Sequence, residues 1–165
     1  MLAMLLWAGT ASAQQIKEHP FYKRLIGEWA SEGERKYADG NVIKIKQESK
    51  TDVLAANTLT TEGTRERNGQ TNHYRWTITL NDSGLIEAMY QPDTGKPDTQ
   101  RYEVQVTGGG ASVEMTALLE SNAKVIIVDA FKTGDPDTIE STVTRTDAAG
   151  VTIYTGTSVA KRKKT

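Results

Sequence analysis

Turn signals recur at close, regular spacing from Gly27 to the carboxyl end of the chain, and this spacing constrains the fold more than any other feature. Short runs rich in β-branched and aromatic residues lie between the turns. Asn68-Gly69 is the strongest signal, because both positions of a two-residue hairpin turn favour a positive φ. Connections this short let each strand pair with the next, and closing such a meander removes its exposed edges. The sequence therefore predicts an all-β fold, a single antiparallel up-and-down barrel of about ten strands.

The strand pattern is clearest between Tyr74 and Leu80, where every second residue is large and apolar and the intervening residues are polar. This alternation is typical of a strand with one buried face. The segment 91–99 is rich in Pro and Gly and is predicted to be a longer loop. A short helical segment is predicted at 16–26, where Pro20 suits a first helical turn, and we expect it to lie across one end of the barrel. The predicted strands are 29–37, 42–55 (bent or bulged), 59–67, 73–80, 85–90, 102–106, 113–119, 124–132, 138–146 and 151–161.

Length, charge and cysteine content narrow the class of protein. The 165 residues suit one domain that can bury a sizeable core. The formal net charge is −1 and the charges are spread along the chain, so no nucleic-acid partner is expected. The chain has no cysteine, which excludes disulfides, zinc–thiolate sites, iron–sulfur clusters and cysteine nucleophiles.

No motif indicates catalysis or metal binding. Ser158 lacks the Gly-x-Ser-x-Gly context of a hydrolase nucleophile, and His73 lies alone on the polar side of its strand. Asp135 and Asp137 lack the remaining ligands of a calcium loop, so a turn is predicted there. We therefore predict no catalytic residue, no metal site and no cofactor.

The amino-terminal residues have the pattern of an export signal. Residues 1–7 are almost wholly apolar, and Ala11-Ser12-Ala13 is a small-x-small cleavage sequence. This pattern favours a signal peptide at 1–13 over a frayed apolar terminus, and it leaves a barrel domain at 14–165. The apolar run is too short to span a bilayer, so no integral membrane segment is expected in the mature chain. The expected location is periplasmic or secreted.

The triplet Gly27-Glu28-Trp29 follows the helical segment and opens the first strand, and in this position it resembles the Gly-x-Trp signature of the calycin superfamily. That superfamily includes lipocalins, fatty-acid-binding proteins and nitrobindins. The wider stretch 25–34 is most similar to the opening of nitrobindin-like secreted bacterial barrels of unknown function. The resemblance implies that Trp29 closes one end of the barrel together with a basic residue of the last strand.

Arg162 is the best candidate for that basic residue, because a planar guanidinium stacks on an indole better than an ammonium does. Lys161, on the opposite strand face, is the rival candidate. Gly27, Trp29 and Arg162 would then be structural. Haem binding in nitrobindin-like barrels needs a late histidine, and this chain has only His19 and His73. The resemblance therefore does not imply haem.

A ligand site is predicted inside the barrel. Tyr74, Trp76, Tyr90 and Tyr102 share the apolar parity of their strands and are predicted to line one cavity, reached from the end opposite Trp29. Other predicted inward positions are small or polar, which favours a partly open interior; they are Thr61, Gly63, Ser141, Thr155 and Thr157.

Two arginines, Arg65 and Arg145, also have inward parity on their strands. A buried arginine needs a partner. A protein carboxylate is favoured for this role over the acid group of a ligand. Arg145 is included with the four aromatic residues in the predicted ligand site.

Three functions remain open. The first is a non-catalytic exported barrel that binds a small, mainly apolar ligand of unknown identity in its interior. The second is an enzyme that acts on a small apolar substrate in the same cavity, using Tyr or Arg. The third is an envelope interaction protein whose barrel is filled.

Overall fold

The computed structural model describes residues 15–96 and 98–164, so the predicted signal peptide lies outside the described residues. The described part forms a closed antiparallel β-barrel of ten strands, as predicted. The strands are β1 (Gly27–Tyr37), β2 (Val42–Ala55), β3 (Thr58–Arg67), β4 (Gln70–Leu80), β5 (Ile86–Gln91), β6 (Gln100–Thr107), β7 (Ser112–Leu118), β8 (Lys124–Phe131), β9 (Thr138–Thr146) and β10 (Thr152–Arg162).

Each strand pairs antiparallel with the next along the chain, and β1 closes the barrel by pairing with β10. The short connections explain this order, because a hairpin turn leaves each strand beside its predecessor. The predicted irregularity in β2 is a register shift between Val53 and Ala55. A second shift lies between Thr152 and Tyr154 at the start of β10.

The largest difference from the predicted boundaries is the start of β4. Asn68 and Gly69 form the tight turn with φ values of 50° and 74°. Pairing therefore resumes at once, with Gln70 opposite Arg67, three residues before the predicted start at His73. The polar side chains at the start of β4 do not alternate with apolar ones, so the sequence pattern does not indicate a strand there. The strand still forms because its hydrogen bonds to β3 join backbone groups alone.

A helical segment covers the Trp29 end of the barrel, as predicted. It consists of a 3-10 turn (Ile16–Glu18) and a helical turn α1 (Tyr22–Leu25). We call residues 16–25 the N-terminal plug. Ile16, Phe21 and Tyr22 of the plug are buried, and the ring of Phe21 lies 5.0 Å from that of Phe131. The plug therefore extends the hydrophobic core and covers it at this end of the barrel.

Trp29 and Arg162 lie directly opposite each other on β1 and β10. The guanidinium carbon of Arg162 is 4.4 Å from the Trp29 ring centre, and Trp29 is 3% exposed. Arg162 also donates to the Ile26 carbonyl at 2.7 Å, to the Arg24 carbonyl, and to Asp137 Oδ1 at 2.9 Å. A Cβ at Gly27 would lie 2.8 Å from the Arg162 guanidinium. Lys161 is exposed on the other face of the strand.

Candidate functional site

The barrel holds an internal cavity of about 220 Å³ between the plug and the opposite end. Much of its wall is aliphatic and aromatic, with contributions from the plug and several strands. The apolar wall includes Tyr22, Trp76, Ile78, Met115, Ile127 and Val143. A smaller set of polar side chains also faces the cavity, and it includes Arg35, Gln47, Arg65, Asp129 and Ser141.

The four predicted aromatic residues form one cluster on β4, β5 and β6. The Trp76 ring stacks on Tyr90 at 4.4 Å between centres and lies 5.1 Å from Tyr102. Tyr74 is 6.3 Å from Tyr90. Tyr74 and Trp76 line the cavity, whereas Tyr90 and Tyr102 are buried beside it and do not reach its wall.

The inward small residues differ from the prediction on β10. Thr155 and Thr157 are exposed, while Gly156 and Ser158 alternate with them on the cavity side. Thr157 also contributes to the cavity lining, as predicted, whereas Thr155 does not. The inward position of Tyr154 sets this parity, because successive residues of a strand face opposite sides. Thr61 and Ser141 line the cavity, as the sequence suggested.

Arg65 does not have the carboxylate partner that the sequence favoured. It is 8% exposed, and its Nε donates to Gln47 Oε1 at 2.8 Å. Its guanidinium lies 4.8 Å from the ring centre of Tyr74 and 5.5 Å from that of Tyr90. The β2–β3 register explains the amide partner, since Gln47 is directly opposite Arg65.

Arg145 is not part of the cavity wall. It lies near the end of β9, opposite Tyr154 on β10. A second arginine, Arg35 on β1, does line the cavity and was missed in the sequence. The sequence could have indicated that Arg35 points inward, because it is six residues after Trp29 and therefore lies on the same face of β1. The Arg35 guanidinium lies 4.8 Å from the ring centre of Tyr154.

Burial favours the protonated form of two tyrosines in this cluster, Tyr74 and Tyr102. Desolvation raises the pKa of Tyr74, although a hydrogen bond from Ser49 and the charge of Arg65 act in the other direction. Desolvation also raises the pKa of Tyr102, with further contributions from Tyr154 and Tyr90. These phenols are therefore neutral hydrogen-bond donors at physiological pH.

An acidic residue, Asp129, faces the cavity nearer the plug. Burial raises the pKa of Asp129, and a hydrogen bond with Ser141 on the neighbouring strand opposes that shift. The Tyr22 hydroxyl is buried without a hydrogen-bond partner in the described part of the protein. The sequence analysis missed Asp129 because β8 is apolar on both faces around it.

Neither histidine is part of the cavity wall. His73 is exposed on the outer face of β4. His19 is in the plug, where its Nδ1 accepts a hydrogen bond from the Phe21 backbone N–H at 3.3 Å. Among residues 15–96 and 98–164, no group of three or more His, Asp or Glu side chains is placed to hold a metal ion. No helix in those ranges is long and apolar enough to cross a bilayer.

Fold and site together define a closed ten-stranded β-barrel with an internal cavity. The sequence matches no protein-family model, and a search of curated proteins likewise finds no match. Solved structures with the same fold exist at low sequence identity. The S-type phycobiliprotein lyase CPES from Guillardia theta is 10% identical, with a TM-score of 0.64 over 92% of this chain and 94% of that one.

Two further structures are similar at the level of the fold. Rv2717c from M. tuberculosis is 14% identical, with a TM-score of 0.60 over 86% of this chain and 94% of that one. A DUF3598 family protein of unknown function from Nostoc punctiforme is 12% identical, with a TM-score of 0.57 over 86% of this chain and 48% of that one. At these identities the likeness concerns the barrel fold alone.

Proposed function

We propose that this protein binds a small, mainly apolar ligand non-covalently inside its barrel. The observation that carries the proposal is the cavity of about 220 Å³, with aliphatic and aromatic walls and a few polar groups. Small-molecule sites usually combine these features. A filled barrel, which the envelope interaction alternative requires, would leave no such volume.

The proposal includes membership of the calycin superfamily, close to the nitrobindin-like secreted barrels. The contact between Trp29 and Arg162, with Gly27 beneath the guanidinium, supports the resemblance of the first strand to the Gly-x-Trp signature. In this proposal Gly27, Trp29 and Arg162 close the barrel and bind no ligand. The plug covers the same end, so the ligand enters from the end where β10 begins.

We also propose that the protein is exported to the periplasm or secreted. The support is the apolar run at residues 1–7, followed by the cleavage sequence Ala11-Ser12-Ala13. A ligand-binding barrel of this kind would act as a carrier or a receptor for a poorly soluble molecule.

Titration with the neutral compound 2-naphthamide, followed by calorimetry, tests the binding function. We expect saturable binding close to one molecule per barrel. Trp76→Ala should change the affinity because this side chain lines the cavity. His73→Ala, on the outer face of the same strand, is the matched control and should leave the affinity unchanged. Absent binding, or equal behaviour of the two variants, would contradict the proposal.

Catalysis in the same cavity is a second candidate, favoured by Asp129. A carboxyl group with a raised pKa that faces a cavity is a frequent feature of general acids. The Guillardia neighbour, which is named a lyase, is an enzyme on this fold. Native mass spectrometry of a copurified ligand, from the wild type and from Asp129→Asn, separates the two functions. Identical ligand masses support binding alone, and a product that disappears in the variant supports catalysis.

A further inference from the structure

Three arginines that combine inward parity with at least half-buried side chains lie toward the end of the barrel opposite the plug, and none of them forms an ion pair within the described residues. Within the described ranges no carboxylate lies within 4.0 Å of Arg35, Arg65 or Arg145. Arginines on the outer face behave differently, since Arg75 pairs with Glu62 at 2.7 Å and Arg101 with Glu87 at 2.6 Å. The three arginines on the inner side therefore lack the acidic partners that Arg75 and Arg101 have.

Each of the three arginines lies next to at least one tyrosine. Arg35 stacks on Tyr154, and Arg145 is the cross-strand neighbour of that tyrosine. Arg65 stacks on Tyr74 and Tyr90. Arg35 and Arg65 both line the cavity.

Several donors in this cluster have no acceptor. The Nε atoms of Arg35 and Arg145 are buried without a hydrogen-bond partner in the described protein, and so is the Tyr90 hydroxyl. Aromatic faces stabilise a guanidinium through cation–π contact, but they accept no strong hydrogen bonds from it. An approaching anion would therefore stabilise the half-buried guanidinium groups of Arg35 and Arg145, because it would accept the hydrogen bonds that their Nε atoms do not make.

Asp129, an acidic side chain of the cavity wall, forms no ion pair with these arginines in the described part of the chain. It lies opposite Ser141 on β9, whereas Arg145 is four residues further along the same strand. That separation corresponds to roughly 13 Å of extended chain. Asp129 also has its own hydrogen-bond partner in Ser141.

We propose that the ligand carries a carboxylate group, which Arg35 and Arg65 bind at the Tyr154 end of the cavity. Both arginines reach the cavity wall, and a planar guanidinium matches the two oxygens of a carboxylate. Arg145 contributes positive charge from behind Tyr154. The apolar body of the ligand lies against Trp76 and the aliphatic wall toward the plug. This inference rests on the proposed binding function and specifies its ligand as an amphipathic organic acid.

The experiment compares two probes of nearly equal shape, 2-naphthoate and neutral 2-naphthamide, by calorimetry at pH 7.5 and low salt. We expect 2-naphthoate to bind at least about tenfold more tightly, because its carboxylate forms charge-assisted hydrogen bonds. Arg35→Met should remove most of this preference while 2-naphthamide still binds. Arg35→Lys keeps the charge and should retain part of the preference.

Arg101→Met is the matched control, since Arg101 is an exposed arginine on the outer face of β6. It should keep the full preference for the acid. Equal affinities of the two probes for the wild type would overturn the carboxylate proposal and leave the binding function intact. The same holds if Arg35→Met and Arg101→Met discriminate equally between the probes. If neither probe binds, both proposals are wrong.

Discussion

Trp29 joins four parts of the molecule through one side chain. Its indole N–H donates to the Leu25 carbonyl at 2.7 Å, which ties β1 to the plug. Arg162 of β10 lies over the ring, and Phe131 of β8 lies 6.2 Å away between ring centres. A residue with contacts this varied stabilises the closed barrel more than its apolar area alone would suggest.

Trp29→Ala should therefore destabilise the protein by ~3–5 kcal/mol, the usual cost of truncating a buried aromatic residue. His73→Ala should change the stability by less than about 0.5 kcal/mol, because the imidazole is exposed. Urea unfolding followed by circular dichroism gives both values. Similar midpoints for the two variants would show that Trp29 does not close the barrel.

His19 makes the plug sensitive to pH. Burial lowers the pKa of His19 below 6.5, and its neutral Nδ1 accepts the Phe21 N–H. The folded state thus favours the uncharged imidazole, so stability is complete above pH 6.5 and declines as pH falls through the lowered folded pKa. Unfolding midpoints measured between pH 7.5 and 5 should decrease accordingly.

His19→Asn is the control for this pH effect, since an asparagine Oδ1 can accept the same N–H and does not titrate. Other titrating groups, including Asp129 with its raised pKa, are common to both proteins. The difference between wild type and variant therefore isolates His19. An unchanged pH dependence in the variant would exclude His19 as the source.

Among the elements, the plug depends on a close approach to the turn between β6 and β7. Gly110 in that turn has a φ of 91°, and a Cβ there would lie 2.5 Å from the Cβ of Pro20. Gly109 has a φ of 65°, but a Cβ on it would meet nothing within 4 Å. A comparison of alanine substitutions at Gly109 and Gly110 therefore distinguishes the cost of backbone strain from the cost of a clash with the plug.

Gly109→Ala should lower the free energy of unfolding by only about 1–2 kcal/mol, because alanine must adopt a left-handed backbone conformation there. Gly110→Ala should cost more, because the plug must also shift away from Pro20. Urea unfolding measures the stability of each, and proteolysis near Pro20 reports displacement of the plug. Equal costs and equal proteolysis would mean that the contact between Gly110 and Pro20 does not hold the plug in place.

At the scale of the whole molecule, the barrel is capped at one end and has its uncompensated positive charge toward the other. The plug, Trp29 and Phe131 close the first end with apolar packing. Arg35, Arg65 and Tyr154 lie toward the second. This polarity gives a bound molecule a preferred orientation, with its acid group toward the second end and its apolar part toward the plug.

The proposed export belongs to the same scale, because removal of a leader at residues 1–13 would leave residues 14–165 as the mature protein. We expect cleavage after Ala13 when the protein is produced in a secreting host. Amino-terminal sequencing of the mature protein should begin at Gln14 or at its cyclised form. Protein in the envelope fraction that still begins at Met1 would contradict this prediction.

The strands, their order and the closure of the barrel could be predicted from the sequence alone. Side-chain alternation and turn chemistry are local properties, and the short connections leave few pairings open. Asn68-Gly69 and the alternation from Tyr74 to Leu80 needed no knowledge of distant residues. The boundaries failed where polar residues continue a ladder, as at Gln70.

The composition of the cavity wall was decided by the tertiary structure. Strand parity indicated which residues point inward, but only the packed barrel shows that Trp76 lines the cavity and that Tyr90, its direct partner on β5, does not. The register between β2 and β3 set Gln47 beside Arg65, and the packing of the barrel left Arg35 beside the ring of Tyr154. Partners of buried charges come from strands far apart in sequence, so no local pattern in the chain specifies them.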